Sequence, residues 1–233
     1  MTYNTHGKMK AITLSMDDGV LQDRRMVEIL NRYGLKCTFN LNSQLFNVTI
    51  QVGNGKVKID HTKIDPSEVA TLYRGHEVAV HTLTHPNLTT VSDEEIVRQV
   101  EEDRKNLSAL CGYEVIGMAY PCGGVNNNDH VAEVLKEKTG VVYSRTITST
   151  YSFDQQDNPY RFNPTIHVID PRTEEICKQF LEAEFDSPKL LYIWGHSYEF
   201  DFDGSWNRFE NICKMISGHE DVFYGTNREV FGY

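Results

Sequence analysis

Apolar runs of strand length alternate, along nearly the whole chain, with stretches whose apolar positions recur at helical spacing. "KAITLSM" from Lys10 reads as a strand, and "QDRRMVEILNRYG" sets Met26, Val27, Ile29 and Leu30 on one side of a helix that Gly34 stops. "KCTFNL" is the second strand. "DPSEVATLYRG" predicts a helix with Asp65 as its cap, Pro66 at the first position and Gly75 at the end, and "HEVAV" follows as a strand. Ser92 and Glu95 predict a capping box ahead of the long amphipathic helix "SDEEIVRQVEEDRKNLSALCG". "EVIGMAYP", "GVVYSRT", "TIHVID" and "LLYIWGH" continue the strands, with helices near 129–139, 173–184 and 205–217 and "DVFYGT" as a candidate last strand.

Strands alternating with helices imply parallel pairing through right-handed crossovers. At 233 residues, with no linker or internal repeat, the pattern predicts one domain over residues 1–233, a barrel or a doubly wound sheet. In either arrangement the C-terminal ends of the strands share one face. Two segments break the rhythm. Residues 47–60, "NVTIQVGNGKVKID", alternate around Gly53-Asn54-Gly55 and predict a hairpin. Residues 147–165 form a long connection of the kind that is often functional, and both segments are expected to set specificity.

Charge and cysteine usage narrow the partners. The formal net charge of -10 argues against a nucleic-acid backbone as ligand. Neither an export signal nor a membrane-length apolar run is seen, which gives a cytoplasmic expectation with no membrane partner. The five cysteines are odd in number and form no CxxC pair, as suits a reducing compartment and gives no zinc knuckle.

The strand ends carry the chemistry. Asp17 and Asp18 follow the first strand, His81 and His85 the third, Tyr120-Pro121-Cys122-Gly123 the fourth, Arg145 the fifth and His196 the seventh. Neighbours in extended chain point to opposite sides, so the two aspartates can face different tasks, although an Asp-Asp-Gly sequence by itself is equally a solvated turn. In "HTLTHPNL", Pro86 biases His85 toward extended geometry, and a tight turn would still gather both imidazoles. A His pair alone is more often structural. Joined by a carboxylate from the first strand, it makes an open site for a divalent metal, with zinc as the default, and the second carboxylate is then free to take a proton from water.

These residues resemble the polysaccharide deacetylases, the NodB-homology or carbohydrate esterase family four. The family's Thr-Phe-Asp-Asp-Gly motif is similar to Ser15-Met16-Asp17-Asp18-Gly19, its His-Ser/Thr-x-x-His motif matches His81-Thr82-Leu83-Thr84-His85, and its late Leu-x-His motif resembles Trp194-Gly195-His196. The resemblance implies a distorted (β/α) barrel of about seven parallel strands and removal of acetyl groups from sugars. It implies Asp17 as catalytic base, Asp18, His81 and His85 as metal ligands, His196 as general acid, and zinc, cobalt, nickel or manganese as the ion. The third motif departs. Where the family has Arg-x-Pro-Tyr/Phe-Gly, this chain has Ala119-Tyr120-Pro121-Cys122-Gly123. The Cys122 N–H remains available for an oxyanion, and Arg145 is the candidate to replace the missing guanidinium.

His196 as an imidazolium would protonate a poor leaving group, with Glu199 or Asp201 holding its ring. His167 is a wall residue or a substrate contact, and Trp194, Tyr120, Tyr151 and Phe153 are candidate sugar platforms or core. Together the residues predict a metal-dependent hydrolase acting on an acetylated carbohydrate or small molecule. The alternatives are hydrolysis of a non-sugar amide on the same scaffold and a catalytically silent carbohydrate-binding protein. Oligomeric state is left open.

Overall fold

The computed structural model describes residues 3–233. Its centre is β1 (Lys10–Asp17), a strand buried along its whole length. The others are β2 (Cys37–Leu41), β5 (Glu77–Val80), β6 (Gly117–Ala119), β7 (Tyr143–Arg145), β8 (Ile166–His167), β9 (Lys189–Gly195) and β10 (Val222–Tyr224). All pair in parallel, in the order β7-β6-β5-β2-β1-β9-β8. One edge of β1 is taken by β9. Its other edge is shared, with β10 on Lys10–Ile12 and β2 on Leu14–Asp17. The sheet curls until Phe162, just ahead of β8, bridges Arg145 of β7, giving the distorted barrel that the strand–helix alternation implied.

Alternation along β1 divides the core in two. Ile12, Leu14 and Met16 join the large apolar cluster that also receives Met26, Ile29 and Leu30 of α1 (Asp23–Arg32). Ala11 joins a smaller cluster with Tyr143, Phe162, Tyr192 and Phe231. On the same side of β1 as Ala11 the row continues as Thr13, Ser15 and Asp17, all buried. Every one of these polar groups has a partner, as burial requires. Thr13 Oγ1 meets Asn227 Oδ1 at 3.0 Å, and Asn227 Nδ2 donates to the Tyr192 hydroxyl at 2.6 Å. Buried Glu77 accepts from Thr38 Oγ1 and from the Tyr143 hydroxyl, each at 2.8 Å.

The hairpin is present as β3 (Thr49–Gly53) and β4 (Lys58–Thr62), antiparallel and apart from the main sheet. The long helices also fall where periodicity placed them, as α3 (Asp93–Cys111), α4 (Asp129–Lys138), α5 (Thr173–Glu182) and α6 (Trp206–Ile216). Two local expectations are corrected, and one helix is new. The helix expected from Asp65 to Gly75 is a 3-10 turn, Pro66–Glu68, running into a single turn, α2 (Val69–Leu72), with Asp65 capping Ser67 N as anticipated. Ser92 caps α3 through Glu95 N, but the Glu95 carboxylate binds Arg98 and Gln99 instead of returning to the cap. The short helix α7 (Asn227–Phe231), whose Asn227 and Phe231 join the interior groups above, has no counterpart in the sequence reading. Among the described residues no helix is long and apolar enough to cross a membrane.

Close approach in β6 gives a direct test of this packing. A Cβ on Gly117 would lie 2.0 Å from the Tyr143 hydroxyl oxygen, whose bond to Glu77 fixes the ring. Gly117→Ala should therefore lower the free energy of unfolding by about 1–3 kcal/mol, the usual cost of overpacking, read as a lower urea midpoint at unchanged slope.

Candidate active site

Strand ends and the turns after them converge on a cleft of about 250 Å³ lined by Asp17, Asp18, His81, His85, Tyr120, Cys122, Trp194, His196 and Tyr198, among others. A larger depression of about 550 Å³ between α4 and residues 157–160 contains none of the strand-end groups. The turns are sharply bent. Asp18, Thr82, His85 and Cys122 all have φ between 64° and 86°, an uncommon conformation for residues with side chains and one that clusters at functional sites. This corrects the extended geometry expected for His85 ahead of Pro86. Its N–H is bound by Thr82 Oγ1 at 3.1 Å and its carbonyl is approached by Cys122 Sγ at 3.4 Å, so the local turn overrides the proline preference.

Asp17 ends β1 facing the interior. Arg145, fully buried, binds both Asp17 carboxylate oxygens through Nη2, donates from Nη1 to Thr146 O at 2.9 Å and lies 4.5 Å over the Trp194 ring. Asn40 Nδ2 donates to Asp17 Oδ1 at 2.8 Å. Burial pushes the Asp17 carboxyl up, but the Arg145 guanidinium, with smaller contributions from His81 and His196, holds the group below the ordinary carboxylate value.

Asp18 turns the other way and meets residues from the hairpin. His61 Nε2 lies 3.2 Å from Oδ2, and Lys63 Nζ lies 3.0 Å from Oδ1 and 2.6 Å from the Asp18 carbonyl. Against the effect of burial, the Lys63 ammonium and the His61 hydrogen bond hold Asp18 well below the carboxylate range. Sequence reasoning missed both residues. The available signal was their spacing: His61 on β4 and Lys63, one residue past its end, stand two apart and so share a side of the extended chain, which is stitched to the Asp-Asp-Gly turn by Leu21 N to Thr62 O and Ile64 N to Gly19 O, each 2.9 Å.

His81 and His85 stack edge to face with ring centroids 5.0 Å apart. His81 Nδ1 is 2.9 Å from the Ala119 carbonyl, which only accepts, so Nδ1 carries the proton and the neutral ring presents Nε2 as a lone pair. Burial lowers its pKa to about 4 and lowers that of His85 as well, so both imidazoles are neutral at pH 7. Asp103 accepts from His81 N at 3.2 Å and from Ser43 N at 2.7 Å, fixing the strand end that carries the first imidazole. Ligand atoms of Asp18, His81 and His85 lie within 4.8 Å of one another. Two neutral nitrogens and a carboxylate oxygen at that spacing fit one divalent ion with room for further ligands.

His196 lies across the cleft, Nε2 3.9 Å from Asp18 Oδ2. Of its two sequence candidates, Glu199 is the partner: Oε1 lies 3.5 Å from His196 Nδ1, and Oε2 accepts from His196 N at 3.1 Å. Asp201 is engaged elsewhere, by Gln22 and the Trp206 indole. Burial opposes the charge on His196, yet the Glu199 carboxylate raises its pKa to about 9. His167 shares Glu199, with Nε2 3.5 Å from Oε2. Tyr198, also unanticipated, stands between His61 and His196, with ring centroids 4.8 Å and 5.0 Å away.

Among the remaining candidates, Tyr120 is buried, with its hydroxyl donated to Tyr160 O at 2.8 Å, and Phe153 packs on Phe180 and Phe185. Tyr151 is covered by Arg172 at 4.0 Å. Trp194 lines the cleft beneath Arg145. Asn126 Nδ2 holds the carbonyls of Pro121 and Cys122 at 3.0 and 2.8 Å, and burial raises the Cys122 thiol. Of the long connection, Ile147 reaches the cleft, while Phe162 fastens the barrel seam.

The family model for polysaccharide deacetylases matches residues 4–142. The chain belongs to the polysaccharide deacetylase family. Solved structures share the fold at low identity. A mutant of BA3943, a family 4 pseudoenzyme of Bacillus anthracis with restored enzymatic activity, aligns at TM-score 0.62 and 18% identity over 99% of this chain and 70% of its own. A family 4 carbohydrate esterase from Streptomyces lividans in complex with acetate gives 0.58 and 15%, covering 94% of this chain and 93% of that one. An acetyl xylan esterase from Clostridium thermocellum with a cobalt ion gives 0.54 and 12%, covering 95% and 90%.

Two substitutions read the charge pairs of this deacetylase-family site separately. Arg145→Met removes the cation that depresses Asp17, so the carboxylate forms only at higher pH, and the acidic limb of the rate profile should move up. Glu199→Gln removes the anion that sustains the His196 imidazolium. Its pKa should then fall from about 9 toward or below 6.5, and the alkaline limb should move down. Rate profiles against pH, with circular dichroism to verify folding, check both.

Proposed function

We propose that this chain is a metal-dependent hydrolase that removes an acetyl group from an amino sugar or another carbohydrate. The observation that carries the reading is the opposite tuning of two facing groups: Arg145 holds Asp17 ionised while Glu199 holds His196 protonated, so one rim offers a base and an acid at the same pH. Carbohydrate binding without turnover requires neither, which weighs against the silent alternative although a pseudoenzyme shares the fold.

Asp18, His81 and His85 are the residues that would hold the ion, and when bound it supplies Lewis-acid polarisation and eases ionisation of water. Asp17 accepts the proton of the attacking water, with Asn40 and Arg145 fixing its orientation. The Cys122 N–H, set on its bent turn, is the proposed donor to the developing oxyanion. His196 passes its proton to the departing amine or alkoxide, and Glu199 steadies the ring as it does so. Trp194 and Tyr198 give the cleft flat apolar walls suited to a sugar ring. The acetate and cobalt bound by the fold relatives support the acyl group and the divalent ion.

The experiment is a measurement of released acetate from N- and O-acetylated sugars and their oligomers. Chelation should abolish release, and added zinc, cobalt, nickel or manganese should restore it. Asp17→Asn, which keeps size but loses basicity, should cut turnover by roughly a hundredfold or more while retaining metal. Full activity in protein verified free of metal would overturn the metal assignment, and loss of metal in Asp17→Asn with retention in Asp18→Asn would reverse the two aspartate roles.

A further inference from the structure

The Asp18 carboxylate is already matched by a charge of the chain's own. Lys63 is 5% exposed, and its ammonium has a full set of acceptors: the Asp18 carbonyl at 2.6 Å, Asp18 Oδ1 at 3.0 Å and Asn42 Oδ1 at 2.9 Å. Oδ1 is also the oxygen that faces His85, whose Nε2 is 3.7 Å away. It is therefore the oxygen an ion shared with the imidazoles would use. We propose that Lys63 is a built-in competitor that weakens divalent-metal binding at Asp18, His81 and His85 and keeps the ion exchangeable. The proposal rests on those three residues being the metal ligands.

The argument is electrostatic. A metal–oxygen bond is about 2.0–2.2 Å long, so an ion on Oδ1 lies at most about 5 Å from Lys63 Nζ. A dication and an ammonium at that separation repel strongly in a buried site, where solvent screens little. The carboxylate's attraction for the ion is also shared with a cation already in place. The opposing possibility is that Lys63 chiefly holds the ligands in position, in which case removing it would loosen the site. The geometry disfavours this, because each ligand segment has an independent hold. Asp18 N donates to Asn40 O at 3.0 Å, and His61 contacts Oδ2. His81 N donates to Leu41 O at 2.9 Å and to Asp103 Oδ2 at 3.2 Å, and His85 N donates to Thr82 Oγ1 at 3.1 Å.

Metal-stripped parent and variants would be titrated with zinc and with cobalt against a chromophoric chelator. Lys63→Met keeps the length and apolar stem without the charge, and Lys63→Gln also keeps donors for Asp18 and Asn42. Both should bind at least tenfold more tightly than the parent, whereas Lys63→Arg, which keeps the charge, should stay within about threefold. Should Lys63→Met fail to fold by circular dichroism, Lys63→Gln alone decides. Parent binding with equal or weaker affinity in the neutral variants overturns the competitor role and leaves the metal centre standing. Absence of binding in parent and variants alike overturns the metal centre itself, and this proposal with it.

Discussion

Two like charges on adjacent buried residues are the constraint from which this structure follows. Asp17 and Asp18 sit at the end of a strand with no exposed face, where desolvation alone would neutralise them. Each is kept ionised by a cation brought from a distant part of the chain, and the two cations arrive from different directions because adjacent side chains diverge. Arg145 comes through the barrel interior to Asp17, and Lys63 comes over the rim to Asp18. The site is thus electrically balanced before any ligand arrives.

That balance sets demands on the fold. In the sheet order, β7 is four strands from β1, much too far for one side chain to span in a flat sheet. Curling closes the distance, and the Phe162 bridge at the seam maintains it. The interior row Thr13, Ser15 and Asp17 is then a polar column inside the barrel, with Ser15 Oγ accepting from Asn40 Nδ2 at 2.9 Å and from Arg145 Nε at 3.3 Å. The hairpin has the corresponding duty outside. Its tip is exposed, but its return strand ends one residue before Lys63, so the hairpin delivers that cation to the site.

Much of this was legible from local pattern. The helices are legible in the periodicity because α1 and α6 keep clean apolar faces, and the apolar stretches at β1 and β9 read as strands, although burial of both faces of β1, polar row included, appears only in the fold. Asp17, Asp18, His81, His85 and His196 are legible because their order matches motifs at strand ends, and alanine at position 119, where those motifs carry arginine, leaves Arg145 as the guanidinium at a neighbouring strand end. Lys63 and His61 are placed by contacts distant in sequence: their spacing puts them on one side of the chain, but only the pairing with the Asp-Asp-Gly turn makes that side the buried one. The bent geometry of His85 escaped for a similar reason: the preference imposed by Pro86 is local, and contacts with Thr82 and Cys122 are not. The single turn at α2 was overextended because the sequence supplied a good start and a good stop around too few buried residues.

The divided edge of β1 has a kinetic meaning. Its C-terminal half pairs with β2, a neighbour in sequence, and forms by closing a short loop. Its N-terminal half pairs with β10, so Lys10 must wait for Val222 across nearly the whole described chain. Until then the lower half of the central strand is an open edge, able to template pairing with another molecule. Among the strand pairings of the described residues, β10 with β1 spans the greatest sequence separation and so carries the largest loop-closure cost.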